Sequence, residues 1–259
     1  MRAGCAAPGL SAAFRGGGAG GTVDGMSNGS VVFVTGASSG IGRAIAEGLA
    51  GAGHRVIAAA RRTERLETIA GVQPHTLDVT DLAAVRAAVD ATVAEHGRID
   101  AFIANAGVMP LSRLDAGLVD EWNQTIDVNV RGLLNGIAAV LPHFTAQGSG
   151  HFITMASIGA HQVTPTAAVY CGSKYAAWAI TEGLRLESPP GIRVTTVSPG
   201  VVESELADTI TDPDGKAFMA EYRSNAIAPS AIAAAVVYAI DQPADVDVNE
   251  IVVRPVRQR

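Results

Sequence analysis

The stretch VVFVTGASSGIGRAIAEGLAG, residues 31–51, places a strand, a glycine-rich loop and a helix in immediate succession. Its first six residues form a short, β-branched apolar run, which is typical of a strand buried on both faces. After the loop, Ile41, Ile45 and Leu49 fall on one stripe at helical spacing. The stretch therefore predicts the first strand–loop–helix unit of a parallel α/β sheet.

The loop within this stretch, TGASSGIG at 35–42, is glycine-rich and opens onto a helix N-terminus. Glycine permits a tight turn and lets backbone N–H groups approach a ligand closely. The unpaired N–H groups and the dipole at a helix N-terminus favour an anion. Three glycines alone also fit an ordinary loop of small residues, but the flanking strand and helix favour a site for the pyrophosphate of a dinucleotide. The residues expected to bind it are Gly36, Ser38, Ser39, Gly40, Ile41 and Gly42.

Further apolar runs alternate with helical patterns along the rest of the chain. The runs are RVIAAARR, HTLDVT, IDAFIANAG, GHFITMAS, IRVTTVSPG and NEIVVRP, and each is nearly continuous. The longest helical patterns cover about 81–97, 114–146 (interrupted near its start), 165–187 and 229–240. Such alternation is typical of a parallel sheet covered by helices on both faces. We therefore predict an α/β protein with a doubly wound Rossmann fold and a seven-stranded parallel sheet.

Length and composition limit the number of domains and the kinds of partner that we expect. Of its 259 residues, 48% are hydrophobic, which suffices for one sizeable core. We expect a single domain at 29–259, with a polar, irregular lid at about 200–228, after a disordered Gly/Ala-rich tail at 1–28. The net charge of -6 argues against nucleic acid or an anionic membrane as partner, and no apolar run is long enough to span a bilayer.

The cysteines and histidines bear on the compartment of the protein and on metal binding. The two cysteines, Cys5 and Cys171, form no disulfide framework, so we expect a cytoplasmic protein. The six histidines are scattered without a close pair, and we predict no metal site.

One later helical stretch, AAVYCGSKYAAWA at 167–179, carries a tyrosine and a lysine four residues apart, Tyr170 and Lys174. This spacing puts both side chains on one face of a helix. An ammonium group near a phenol favours the phenolate and lowers the phenol pKa from its ordinary value of about 10. The pair would suit proton transfer, although the same spacing alone also fits an ordinary helix surface.

Seven features occur in one order that resembles the short-chain dehydrogenase/reductase family. They are TGASSGIG at 35–42, LDV at 77–79, NAG at 105–107, Asn129, Ser157, YCGSK at 170–174 and SPGVVES at 198–204. The resemblance covers about residues 30–255 and implies an oxidoreductase that interconverts a ketone or aldehyde and a secondary alcohol. A catalytically silent NADP(H)-binding redox sensor is the alternative. Such proteins usually lose the tyrosine or the lysine, and this chain has both.

The resemblance assigns catalytic roles to four of these residues, Asn129, Ser157, Tyr170 and Lys174. Tyr170 would transfer the proton, and Lys174 would lower the pKa of Tyr170 and bind the nicotinamide ribose. Ser157 would polarise the substrate carbonyl. Asn129 would hold a water molecule that connects Lys174 to solvent.

The end of the second predicted strand, AAARR, bears on the choice of cofactor. It has no acidic residue to bind a ribose 2′-hydroxyl, whereas Arg61 can offer its guanidinium group to a 2′-phosphate. We therefore expect NADP(H), with Arg61 as the main contact. Two solvated arginines are the alternative, and Ser39 stands where many NADP-dependent relatives have a basic residue. The resemblance implies further cofactor contacts from Arg62, Asp78, Val79, Asn105, Ala106, Gly107, Tyr170, Lys174, Pro199, Gly200, Val202 and Ser204, the last replacing the usual threonine.

The substrate is the least determined part of this prediction. We expect a mostly apolar pocket lined by Val108, Met109, Ile158 and His161, since they flank the matched motifs. The lid has six acidic and two basic side chains, which disfavours a strongly anionic substrate. SPGVVESELA and NEIVVRP resemble the NADP-dependent branch that acts on 3-hydroxy acids, serine and assorted alcohols or ketones. The family also implies a homotetramer or homodimer.

Overall fold

The computed structural model describes residues 29–258 and contains one seven-stranded parallel sheet. Its order is β3-β2-β1-β4-β5-β6-β7, with parallel pairing throughout. The strands are β1 (Val31–Thr35), β2 (Arg55–Ala60), β3 (Val72–Thr76), β4 (Ala101–Ala104), β5 (Gly150–Met155), β6 (Ile192–Pro199) and β7 (Glu250–Val253). The order reverses between β1 and β4, which opens a crevice at the carboxyl ends of these strands. The predicted Rossmann sheet is confirmed.

Helices cover both faces of this sheet, as predicted. They are α1 (Gly40–Gly51), α2 (Thr63–Leu66), α3 (Leu82–His96), α4 (Val119–Ile126), α5 (Gly132–Gln147), α6 (Ala168–Glu187), α7 (Pro213–Tyr222) and α8 (Pro229–Ile240). One buried cluster joins α1 and α8 to the sheet, for example through Leu49 and Val236. A second cluster joins α3, α5 and α6 to the opposite face, for example through Val89, Phe144 and Leu184. Burial of these apolar faces is the main stabilising contribution.

The long helix predicted at 114–146 is interrupted twice. A short 3-10 turn at Leu114–Ala116 precedes α4, and a π-helical turn at Asp127–Arg131 separates α4 from α5. Downstream, α5 lies very close to the sheet. A Cβ added at Gly136 would come within 2.7 Å of the Phe102 ring. The π turn carries Asn129, whose amide bonds to Val108 in the segment that follows β4.

Two segments differ from the sequence prediction. The third strand is Val72–Thr76, so it ends at the second residue of the predicted HTLDVT run. There the Asp78 carboxylate accepts bonds from the backbone N–H and hydroxyl of Thr80, which form a turn instead of strand pairing. The lid is not irregular throughout, because it contains α7. Asp212 caps that helix by accepting from the Gly215 N–H at 2.8 Å.

Some expectations concern other parts of the chain. The predicted disordered tail at 1–28 lies outside the described residues. Within 29–258, no helix combines the length and the apolar character needed to cross a membrane. The same residues contain no group of three His, Cys, Asp or Glu side chains that could hold a metal ion.

Candidate active site

A cavity of about 700 Å³ occupies the crevice at the carboxyl ends of the central strands. Its volume is in the range of cofactor and ligand sites. Every cofactor residue named from the sequence lines it, and so do Ser157, Val108, Met109 and Ile158. Asn129 lies behind the cavity wall, and His161 lies elsewhere. The cavity therefore brings together residues from six of the seven matched features and from the AAARR segment.

The glycine loop forms a close cradle between β1 and α1. Gly36 has φ +67, and a Cβ there would lie 2.7 Å from the Ala106 Cα atom. A Cβ at Gly42 would lie 2.3 Å from the Gly36 carbonyl oxygen. Within the described chain, the Ser39 side chain makes no capping bond to the first turn of α1. The first turn of α1 thus has no side-chain cap from Ser39, and the glycines let a ligand come close to its backbone N–H groups. Such a helix N-terminus fits a pyrophosphate group.

The NAG segment after β4 is fixed against this loop by Thr35. The Thr35 hydroxyl donates to the Ile103 carbonyl at 3.1 Å and accepts from the N–H groups of Asn105 and Ala106 at 3.0 and 3.1 Å. In return, the Asn105 amide donates to the Thr35 carbonyl at 2.9 Å. Asn105 is therefore a positioning residue in this structure, and the wall that it shapes faces the cavity.

Three arginines surround the far end of the cavity, beyond the glycine loop. Arg61 is exposed and lies close enough to Asp78 to help lower its pKa, which hydrogen bonding by the Thr80 N–H lowers most. Arg62 donates through Nη2 to the hydroxyls of Ser38 at 3.2 Å and Ser39 at 3.0 Å. Arg65, on α2, was not predicted, although it lies one helical turn from Arg62.

A lid residue reaches this arginine corner. Glu205 accepts from Arg65 Nη1 at 2.6 and 2.8 Å and from Arg62 Nη1 at 3.1 Å. Hydrogen bonds from Arg65, and then from Arg62, hold the pKa of Glu205 below its usual value. Glu205 also lines the cavity. Sequence reasoning counted it only as one of several lid acids.

At the near end, Ser157, Tyr170 and Lys174 meet beside the carboxyl end of β5. Lys174 is buried, and its Nζ donates to the Met155 carbonyl at 2.8 Å and lies 5.9 Å from the centre of the Tyr170 ring. Burial lowers the pKa of Lys174 to about 8. The Ser157 hydroxyl accepts from the Gly159 N–H at 3.0 Å and is thereby held at the start of a short 3-10 turn.

The pKa of Tyr170 differs from the sequence expectation. Lys174 was expected to lower it, but burial of the phenol raises it to about 12, and hydrogen bonding by Ser157 offsets only part of that rise. The reason is that desolvation disfavours the phenolate more strongly than its polar neighbours favour it. Tyr170 is therefore protonated at neutral pH.

The side-chain amide of Asn129 connects the π turn to the segment after β4 and to α6. Its Oδ1 accepts from the Val108 N–H at 2.9 Å, and its Nδ2 donates to the Val108 carbonyl and the Ser173 hydroxyl, both at 3.0 Å. A small cavity of about 10 Å³ lies beside Asn129 and Lys174. That volume is close to the minimum for one water molecule.

The substrate part of the cavity is broader than predicted, and His161 does not belong to it. His161 instead places Nε2 3.1 Å from Ser198 Oγ and 3.1 Å from Glu250 Oε1, because the short turn after Ser157 directs its ring towards β6 and β7. The unpredicted lining residues include Leu111, Gln162, Thr164, Phe218 and Tyr222. The Asp-Pro pair at 212–213 is the signal that could have revealed α7, which carries the two aromatic residues.

Polar contacts join the two halves of the lid to each other and to Gln258. Arg223 Nη2 donates to the Ser204 carbonyl at 2.7 Å. Near the end of the chain, the Gln258 amide donates to the Tyr222 hydroxyl and accepts from the Val201 N–H at 3.0 Å. These bonds connect α7 to the segment that follows β6.

Comparisons with known proteins agree with this architecture. An uncharacterized oxidoreductase of Staphylococcus saprophyticus is 48% identical over 237 residues, which cover 88% of this chain and 96% of that protein. An alcohol dehydrogenase of the archaeon Thermococcus sibiricus, solved with 5-hydroxy-NADP, is 30% identical with a TM-score of 0.79 and covers 89% of this chain and 98% of its own. A closed form of serine dehydrogenase with NADP+ is 29% identical with a TM-score of 0.79, covering 86% of this chain and 94% of its own.

A family model described as short chain dehydrogenase matches residues 30–215, which is more than half of the chain. The relative at 48% identity extends this likeness over nearly all of the described residues. The glycine loop, the NAG segment and the Ser157–Tyr170–Lys174 cluster lie within the matched range. The chain belongs to the short chain dehydrogenase family of oxidoreductases, which use nicotinamide cofactors.

Proposed function

We propose that this protein is an NADP(H)-dependent carbonyl reductase or secondary alcohol dehydrogenase. The observation that carries the proposal is the convergence of Ser157, Tyr170 and Lys174 at one end of the cavity whose other end is the glycine loop. When bound, the nicotinamide ring supplies a hydride to the carbonyl carbon or accepts one from the alcohol carbon. The residues of the chain supply the proton and the electrostatic stabilisation.

The proton has one well-placed source in this arrangement. Tyr170 is protonated at neutral pH, since burial raises its pKa to about 12, and so it can donate from Oη to the carbonyl oxygen as negative charge develops there. Ser157 can donate a hydrogen bond to the same oxygen. Lys174, 5.9 Å from the ring centre, stabilises the phenolate that remains after proton transfer. Asn129 and the small cavity beside Lys174 support a path for reprotonation.

The preference for NADP(H) rests on charge at the far end of the cavity. Arg61, Arg62 and Arg65 all line it, and the end of β2 provides no carboxylate for a ribose 2′-hydroxyl. A 2′-phosphate carries about two negative charges, and guanidinium groups bind it through two parallel hydrogen bonds. The similar alcohol and serine dehydrogenases were solved with 5-hydroxy-NADP and NADP+, which supports the same choice here.

The substrate we propose is a small-to-medium ketone, aldehyde or 3-hydroxy compound. Met109, Leu111, Phe218 and Met219 make the inner end of the cavity mainly apolar, while Thr164 adds a polar group at its edge. A mainly apolar wall with one polar edge suits a carbonyl compound with a hydrocarbon portion. We further propose a cytoplasmic homotetramer or homodimer, because both are usual in the family.

The experiment is a screen of ketones, aldehydes and 3-hydroxy acids, monitored by NADPH and NADH absorbance at 340 nm. We expect turnover with at least one carbonyl compound and a clear preference for NADPH. Tyr170→Phe should keep dinucleotide binding and lose at least about 1,000-fold in kcat, since general acid catalysis contributes factors of this order. A protein that binds NADPH yet turns over no compound in a broad panel would instead fit the redox sensor.

A further inference from the structure

The ion pairs of Glu205 join two elements that face each other across the cavity. Arg62 and Arg65 follow β2 on one side, and Glu205 begins the 3-10 turn Glu205–Thr209 of the lid on the other. Both carboxylate oxygens are used, since Arg65 Nη1 lies 2.6 Å from one and 2.8 Å from the other. These contacts connect residues 140 and 143 positions apart in the chain.

The glycine loop lies between the two partners. Arg62 also binds the hydroxyls of Ser38 and Ser39, so its guanidinium group spans from the loop to the lid. A Cβ added at Gly40 would lie 3.1 Å from the Ser204 Cβ atom, which shows that the lid starts directly over the loop. Glu205 therefore closes a bridge over the groove that fits the pyrophosphate.

We infer that Glu205 is a positioning residue that fastens the lid across the dinucleotide groove, and that its ion pairs with Arg62 and Arg65 set how long a bound dinucleotide stays. The inference rests on the proposed function only in that this groove binds a dinucleotide. A bound dinucleotide can leave only after this bridge opens, because the bridge covers the groove.

The exposure of the three bridging side chains determines how strongly the bridge should slow dinucleotide release. The side chains of Arg62, Arg65 and Glu205 are 43%, 41% and 46% exposed, so solvent screens each pair. One carboxylate shared by two guanidinium groups holds more firmly than an isolated surface pair. We therefore expect the bridge to slow release by about five- to tenfold, and high salt to weaken it.

A competing idea makes the opposite prediction. If Glu205 occupies the position that a 2′-phosphate takes, removing its charge would tighten NADPH binding and leave NADH unaffected. A bridge over the groove acts on both dinucleotides, because both carry the pyrophosphate that it covers. The release rates of NADPH and NADH therefore distinguish the two ideas.

The test measures dissociation of NADPH and NADH by stopped-flow fluorescence in the full chain. Glu205→Gln should release both dinucleotides about five- to tenfold faster than wild type. Raising NaCl from 0.05 to 0.5 M should accelerate release from wild type and have less effect on the variant. Glu203→Gln is the matched control, because Glu203 is an exposed acid two residues away that forms no ion pair within the described chain.

A charge swap tests whether the contact itself matters. Arg65→Glu alone should also speed release of NADH, which has no 2′-phosphate to bind Arg65 directly, and combining it with Glu205→Arg should return the NADH release rate at least halfway to that of wild type. Unchanged release from Glu205→Gln, or slower release of NADPH alone, overturns the inference while leaving the proposed function intact. A wild-type protein that binds neither dinucleotide overturns both.

Discussion

The two ends of the cavity are built in different ways. The dinucleotide end, formed by the glycine loop and the residues after β2 and β4, rests on buried central strands and is fixed by bonds between the buried Thr35 hydroxyl and backbone groups. The lid end, residues 200–228, is made of short helical turns and α7, and its outer surface is largely exposed. The first end has little freedom to vary, whereas the second is held by few side-chain bonds.

This difference has a functional consequence. In the proposed function, groups common to every nicotinamide cofactor would meet the rigid end, where one added methyl group at Gly42 would clash with the backbone. In the proposed function the substrate would meet α7, which packs on a separate small cluster that contains Met109, Leu111, Ile210 and Met219. We therefore expect mutations at the dinucleotide end to weaken dinucleotide binding strongly, and mutations in the lid to alter substrate preference by modest factors.

Among the variants that compare the two ends, the largest effect is expected for Gly42→Ala. The added methyl group would lie 2.3 Å from the Gly36 carbonyl oxygen, so the loop must move. We expect NADPH affinity to fall at least about 100-fold, measured by calorimetry. Gly51→Ala in the same helix is the control, because within the described residues nothing lies within 4 Å of its Cβ. Equal losses in both variants would contradict a cradle specific to the loop.

The next effect concerns the arginine corner. Arg61→Ala and Arg62→Ala should each lower the ratio of kcat/KM for NADPH to that for NADH by about tenfold, since each removes a charged hydrogen-bond donor. The double variant should approach a 100-fold loss. Arg55→Ala removes an exposed arginine at the opposite end of β2 and should leave the ratio unchanged. If the ratio is near one in wild type, the proposed cofactor preference is wrong.

A third prediction concerns the sheet beneath both ends, whose stability should depend on pH through His151. Burial, aided by Arg193, lowers the pKa of His151 in β5 to about 3. The unfolded chain binds a proton below pH 6.5 and the folded chain does not, so stability falls as pH decreases from 6.5 towards 3. The loss should be about 1.4 kcal/mol per pH unit in urea unfolding experiments.

His151→Leu serves as the control for this pH dependence. The Thr195 hydroxyl, which lies beside His151, donates to the Val248 carbonyl at 2.6 Å and so should keep a partner in this variant. Its stability should depend less on pH between 6.5 and 5 than that of wild type. An unchanged slope would show that other groups cause the acid sensitivity.

The smallest effect is expected in the lid. Phe218 stacks on Tyr222 with 5.4 Å between ring centres and lines the cavity. Phe218→Ala should raise KM for a carbonyl substrate about three- to fivefold and leave NADPH affinity unchanged, because only the substrate wall is altered. Phe218→Leu should keep most of the wild-type KM. A large loss of NADPH affinity in the alanine variant would contradict the separation of the two ends.

The same contrast explains what the sequence could predict. The strand–loop–helix unit was readable because buried parallel strands and a phosphate loop each demand particular residues at fixed spacing. Arg65, Glu205, Phe218 and Tyr222 were not assigned, since their roles arise from contacts between elements far apart in the chain. His161 was misplaced because adjacency to Ser157 in sequence does not determine where a side chain points after a turn.

The π turn at Asp127–Arg131 has a consequence for how the chain can vary in length. A π turn holds one residue more than an α turn, so deleting one residue here would convert the segment from α4 to α5 into regular α-helix. Because the π turn absorbs its extra residue locally, the helices on either side would keep their faces, while the side chains within the turn would point in new directions. The amide of Asn129 would turn away from Val108 and Ser173. An in-frame loss of one codon at this point should therefore leave a folded sheet with an incomplete proton path.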